Sequence, residues 1–173
     1  SYAKALAAEL SPDGRYFMSG SSRGIFEGYD GEHVLILDEL SPGNVPYSDL
    51  KRILDPYSTQ EETRAPARYN DAHLMAETFI ITSPFSPLWL YRSQVLSEHD
   101  GFDQLARRIT YPVKMEQEKF SLMRFNPVTG QYDVVAASSQ DNPYSELGRG
   151  STGANYFERA RRFKEMNQRL EAA

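Results

Sequence analysis

Two blocks along the chain are apolar without a break: Val34-Leu35-Ile36-Leu37 and Phe79-Ile80-Ile81, the second running into Thr82. Neither alternates with polar residues, so each predicts a short strand buried on both faces, as in a parallel sheet. Helical spacing fills the stretches around them. Ser1 to Leu10 is rich in strong helix formers. Pro46 opens a helix over Tyr47 to Leu54 that turns Leu50, Ile53 and Leu54 inward. Ser86-Pro87 is a cap followed by a first-turn proline, and predicts a helix to about Leu96, with Trp89 in the core. Phe102 to Arg108 is another short helix. Tyr16 to Ser19 reads as a short strand, and Ile109 to Met115 as an edge strand because Pro112 interrupts it. Ser11-Pro12-Asp13-Gly14, Tyr29-Asp30-Gly31, Ser41 to Asn44 and Asp55-Pro56 punctuate the series. Strands alternating with helices predict an α/β fold with a mostly parallel sheet.

The pattern changes past Met115. Ser121 to Phe125 and Tyr132 to Ala136 flank Asn126-Pro127-Val128-Thr129-Gly130 and predict a β-hairpin. Gln140 to Gly153 is polar, and Tyr156 to Leu170 has an amphipathic helical pattern. Its Glu158–Arg162 and Glu165–Arg169 pairs are spaced four apart. The expected division is therefore residues 1–118 and 119–173. No internal repeat is present.

Composition narrows the reading. The 173 residues are 40% hydrophobic and 25% charged, as in an ordinary globular protein. No apolar run reaches membrane-spanning length, so no membrane association is expected. The chain has no cysteine, which removes disulfides and thiolate metal sites. His33, His73 and His99 lack metal-ligand spacing. The net charge is -5, so contact with nucleic acid must come from a local basic loop. The first residue enters helical sequence at once, and a fragment lacking its natural N-terminal part is expected.

Ligands of parallel sheets bind at the carboxyl ends of the strands. One buried block ends in Asp38-Glu39 and the other in Thr82-Ser83. Nucleoside triphosphate hydrolysis needs an acid near magnesium and a second group to orient water. Four apolar residues followed by Asp-Glu supply both at one strand end, which is the Walker B pattern.

The order of the pieces adds to this. Tyr29-Asp30-Gly31-Glu32, Val34 to Glu39, Pro46 to Leu50, Leu54 to Tyr57, Phe79 to Ser83 and Leu105 to Ile109 follow one another in a series. From Ser1 to Met115, that series resembles the superfamily 3 helicase domain of replication initiators from circular single-stranded DNA viruses and rolling-circle plasmids. The resemblance implies a P-loop NTPase fold of AAA+ type, lacking here its first strand and phosphate loop, with a C-terminal hairpin and helix. It implies ATP and magnesium as cofactors, single-stranded nucleic acid as partner with DNA ahead of RNA, and a homo-oligomeric ring expected to be a hexamer. The setting would be a bacterial cytoplasm or, for a virus, the host nucleus.

Residue by residue, the resemblance makes Asp38 the magnesium-side acid and Glu39 the water-orienting acid. Ser1 matches the last hydroxyl of the phosphate loop, also a magnesium ligand. Thr82 and Ser83 match the strand that senses the γ-phosphate. Pro84 stands where the family has Asn, so that role would fall to these hydroxyls. Arg107 and Arg108 match an arginine finger that reaches a neighbouring subunit. Arg64, Arg68 and Tyr69 match the DNA-contacting loop, where cations and an aromatic ring suit phosphate and base. Two alternatives stay open. One is a remnant of the fold that only oligomerises or binds nucleic acid, and the other is a related viral RNA helicase.

Overall fold

The computed structural model describes residues 1–19, 24–55, 64–65, 72–95 and 101–142, with positions alone and not side chains for 64–65 and 72–73. Its architecture is mixed α/β, with a three-stranded parallel sheet, a four-stranded antiparallel sheet and a two-stranded antiparallel pair among the described residues. Helix α1 spans Tyr2–Leu10. Strand β1 (Phe17–Met18) pairs in parallel with β2 (Val34–Leu37). Helix α2 (Tyr47–Ile53) follows, then the short antiparallel pair β3 (Arg64–Ala65) and β4 (Ala72–His73). Strand β5 (Thr78–Ile81) returns parallel to β2, so the sheet order is β1-β2-β5.

The central position of β2 explains its unbroken apolar sequence. Val34 and Ile36 face one side, where Ala3 and Ala7 of α1 cover them. Leu35 and Leu37 face the other, among Phe26, Leu40, Val45, Tyr47, Leu50 and Ile53. All four residues of β2 are fully buried. The alanines let α1 lie close to the sheet, because a small side chain keeps the helix axis near the strands. β5 departs from the expectation of a strand buried on both faces. Its four residues are only half-buried, since among the described residues it is an outer strand of its sheet.

Helix α3 (Pro87–Arg92) begins as its sequence requires: the Ser86 hydroxyl accepts the Trp89 N–H at 3.2 Å, with Pro87 in the first position. The helix ends at Arg92, with Ser93 as its C-cap, short of the expected extension to about Leu96. Helix α4 (Asp103–Ala106) is one turn long and buries Leu105 and Ala106. Trp89, expected in the core, is 47% exposed; Leu90 occupies the buried position instead.

The second sheet is antiparallel. Strand β6 (Val113–Met115), β7 (Lys119–Asn126) and β8 (Gln131–Val134) lie side by side, and β9 (Gln140–Asp141) pairs with the start of β7. The expected strand before Met115 is thus the edge of this sheet, not a member of the parallel one. The β7–β8 hairpin closes because the Asn126 carbonyl side chain accepts the Val128 and Thr129 N–H groups and Gly130 takes a positive φ of 65°. Pairing of β6 with β7 crosses the expected division at 118/119. Phe125 and Tyr132 of the hairpin also pack on Phe102 in the main core. The amphipathic pattern from Tyr156 to Leu170 lies outside the described residues.

Candidate functional site

The two parallel strands β2 and β5 are in register, Leu37 opposite Ile81, so their next residues meet at one edge. There the Thr82 hydroxyl donates to Asp38 Oδ1 at 2.7 Å and accepts the Glu39 N–H at 2.8 Å. The backbone continues the ladder around them. Thr82 N–H donates to the Leu37 carbonyl at 2.9 Å, and Leu40 N–H to the Thr82 carbonyl at 2.7 Å. Asp38 N–H donates to Ser19 Oγ at 3.0 Å, which brings the end of β1 into the same cluster. Asp38 is thus held at its carboxylate by Thr82 and at its backbone N–H by Ser19, where three adjacent strands end.

Asp38 is half-buried, and Oδ2 has no hydrogen-bond partner among the described residues. Glu39 is exposed, and its carboxylate is engaged by no described side chain. Its backbone is unusual: φ is +51°, the only positive value at a non-glycine residue among those described. A left-handed glutamate costs about 1–2 kcal/mol. The two bonds from the Glu39 and Leu40 amides to Thr82 hold it there.

A hydroxyl has one proton to give. Thr82 gives its proton to Asp38. Ser83 gives its own to the Leu40 carbonyl at 2.7 Å and accepts the Phe85 N–H at 3.0 Å. Both hydroxyls expected to read a phosphate therefore act inside the protein, Thr82 holding the acid and Ser83 the turn toward α3. Ser19 was missed by the sequence reading. The available signal was its place: a hydroxyl directly after the strand Phe17–Met18, beside the Walker B-like strand.

Ser1 is exposed and starts α1 through its carbonyl, which accepts the Ala5 N–H at 3.2 Å; its side chain makes no capping bond. A nine-residue helix rises about 13 Å, close to the length of a four-residue strand. α1 packs across β2 and β5, and its first residue, Tyr2, meets Phe120 of the antiparallel sheet. The amides of the first helical turn have no partners within the helix.

Arg107 and Arg108 diverge. Arg107 is exposed at the end of α4. Arg108 turns inward, its side chain 9% exposed, with Nη2 3.3 Å from Asp55 Oδ2 and Nη1 donating to the Gln104 carbonyl. Arg64 belongs to β3, opposite His73 in the β3–β4 hairpin. Arg68 and Tyr69 lie outside the described residues.

Among the described residues no three acidic or histidine side chains converge as a metal-binding group. A divalent cation at this edge would find one free carboxylate oxygen on Asp38 and would take its other ligands from water and phosphate. That fits a hard, highly hydrated cation such as magnesium.

No protein-family model matches the chain. It is similar to a protein named Replication protein from Onion yellows phytoplasma (strain OY-M), with 26% identity over 132 residues. The match covers 75% of this chain and 34% of the relative, so the chain spans about a third of the length of that curated protein. Within the described residues, no helix is long and apolar enough to cross a membrane.

Proposed function

We propose that this chain is part of a replication initiator and contributes the hydrolytic edge of an ATP-driven helicase domain acting on single-stranded nucleic acid. The observation that carries the reading is the Asp38–Thr82–Glu39 cluster at the carboxyl ends of two adjacent parallel strands. The similarity to a named replication protein supports the biological setting. The order of motifs supports the helicase class.

A magnesium-bound triphosphate would supply the transferable phosphoryl group and the charge to be neutralised. Asp38, fixed through Oδ1, would hold the cation through Oδ2, directly or by a bound water. Glu39 would orient the attacking water, for which an exposed carboxylate on a constrained backbone is suited. Ser1, as the match to the last phosphate-loop hydroxyl, would bring its side chain to the phosphates and the cation. Thr82 is a positioning residue in this scheme, and Ser19 another. Arg107, exposed, fits a finger reaching a neighbouring subunit of a ring; Arg108, tied to Asp55, supports the fold.

The test is ATP turnover and ATP binding by the natural full-length protein carrying Glu39→Gln. Loss of the water-orienting carboxylate should cut kcat by at least about 100-fold while leaving ATP affinity within a few-fold. A near-normal kcat would show that the strand-end acids only support the fold and would leave a binding protein.

A further inference from the structure

The segment that leaves the candidate site carries an aromatic surface that the hydrolytic scheme does not use. Phe85 and Trp89 stack with ring centroids 4.1 Å apart and planes 14° from parallel. Phe85 is half-buried and packed against the core, while Trp89 is 47% exposed. One face of the indole is therefore pinned and the other is open. A core tryptophan would have both faces covered; a surface one is normally free to change rotamer. This one is a flat apolar platform held in place by a second ring.

The sequence of this segment stands apart in a chain of net charge -5. From Thr78 to Ser97 there is no aspartate or glutamate, and Arg92 is the single charged residue. Arg92 lies three positions after Trp89 on α3 and is exposed, so the two share a side of the helix. A fixed aromatic face beside a guanidinium, without nearby acids in the segment, matches an unpaired base and its phosphate. The face is open and lies on a helix, so it suits a strand passing over the surface better than a free nucleotide, which binds in an enclosing pocket.

We infer that Trp89, backed by Phe85, stacks a base of single-stranded nucleic acid, and that Arg92 contacts the adjoining phosphate. The inference rests on the single-strand binding proposed above and adds Trp89 and Arg92 to Arg64, Arg68 and Tyr69, the residues that the resemblance implies for it.

Trp89 is the only tryptophan in the chain, so its emission reports this surface alone. The 173-residue chain is titrated with a short thymidine oligonucleotide while tryptophan emission and the anisotropy of a labelled oligonucleotide are followed. Binding should quench the emission along the same curve as the anisotropy. Trp89→Ala should weaken binding by roughly 5- to 100-fold, and Trp89→Phe should recover most of it, because a ring is retained. Arg92→Gln should lower the slope of log affinity against log salt by about 0.7, the value for one phosphate contact on a single strand. Circular dichroism confirms that each variant is folded, as expected for substitutions at exposed positions. Oligonucleotide binding with unchanged emission and normal affinity in Trp89→Ala would overturn this inference and leave the proposed function standing. Absence of any oligonucleotide binding by the unmodified chain would overturn the single-strand reading, and this inference with it. Quenching by AMP or ATP but not by the oligonucleotide would assign the platform to a free nucleotide and overturn the inference too.

Discussion

Glu39 shows at the scale of one residue how the fold and the proposed chemistry compete. Its φ of +51° is a conformation glycine adopts freely and glutamate does not. The strain is held by the Thr82 hydroxyl and carbonyl, which receive the Glu39 and Leu40 amides. An exposed side chain at this position gives nothing back to the core. Ordinarily a change to glycine in a loop costs about 0.5–1 kcal/mol through the unfolded chain. Here relief of strain should cancel that cost, so Glu39→Gly should be neutral or stabilising by up to about 1 kcal/mol. Urea denaturation of the chain measures it. The same variant in the natural full-length protein should lose turnover. A destabilisation above about 1 kcal/mol would mean that the Glu39 side chain holds the structure together and that its conformation is not a functional cost.

Elements show what the residue pattern can and cannot convey. The block Val34–Leu37 announces a strand buried on both faces, and it is one, because a central strand of a covered parallel sheet has no polar side. Phe79-Ile80-Ile81 has the same apolar character, yet it is half-buried, because sequence alone does not say which strand lies outermost. Trp89 failed for a related reason: helical spacing leaves two neighbouring apolar residues competing for the core, and Leu90 takes it. At the site, Asp38, Glu39 and Thr82 were legible as strand-end residues. Ser19 was not, because a two-residue strand carries too little pattern to fix its register. The β7–β8 hairpin was legible from its turn, but its docking on Phe102 was not. Tyr132 makes that docking testable. Its ring packs with Phe102 and Phe125, while its hydroxyl is buried with no hydrogen-bond partner among the described residues. Burial pushes the phenol up to about 12. A group whose folded pKa exceeds its unfolded value of about 10 stabilises fully below that value and loses the contribution as pH rises toward the folded one. Stability should therefore fall between about pH 10 and 12, and Tyr132→Phe should remove this part of the loss. At neutral pH the same variant should be neutral or more stable by about 1 kcal/mol, since it deletes an unsatisfied polar group. Denaturation midpoints across the alkaline range check both; a clear loss at neutral pH would reveal a partner for the hydroxyl.

At the scale of the whole molecule, two adjacent arginines divide the labour between holding the chain together and reaching out of it. Arg108 ties the end of α4 to Asp55, just beyond α2, and is nearly buried. Breaking the pair should cost roughly 2 kcal/mol, less than for a fully buried pair because Asp55 is partly solvated. Arg108→Ala should therefore lower stability in this chain. Arg107 is exposed and should show a loss near zero when replaced by alanine. Activity should divide the other way if Arg107 is the finger: an arginine supplied across an interface neutralises transition-state charge in a neighbour's site without stabilising its own subunit. In the natural full-length protein, Glu39→Gln lacks the acid but keeps the finger, and Arg107→Ala keeps the acid but lacks the finger. Each alone should be inactive. Mixed in equal amounts in a ring, about a quarter of the interfaces join an intact acid to an intact arginine, so partial ATP turnover should return. Native mass measurement of mixed assemblies shows whether the two variants combine. If they combine and the mixture stays inactive, Arg107 does not act across subunits. The Asp38–Thr82–Glu39 cluster would survive that result, because it rests on bonds within one chain and makes no use of a neighbour.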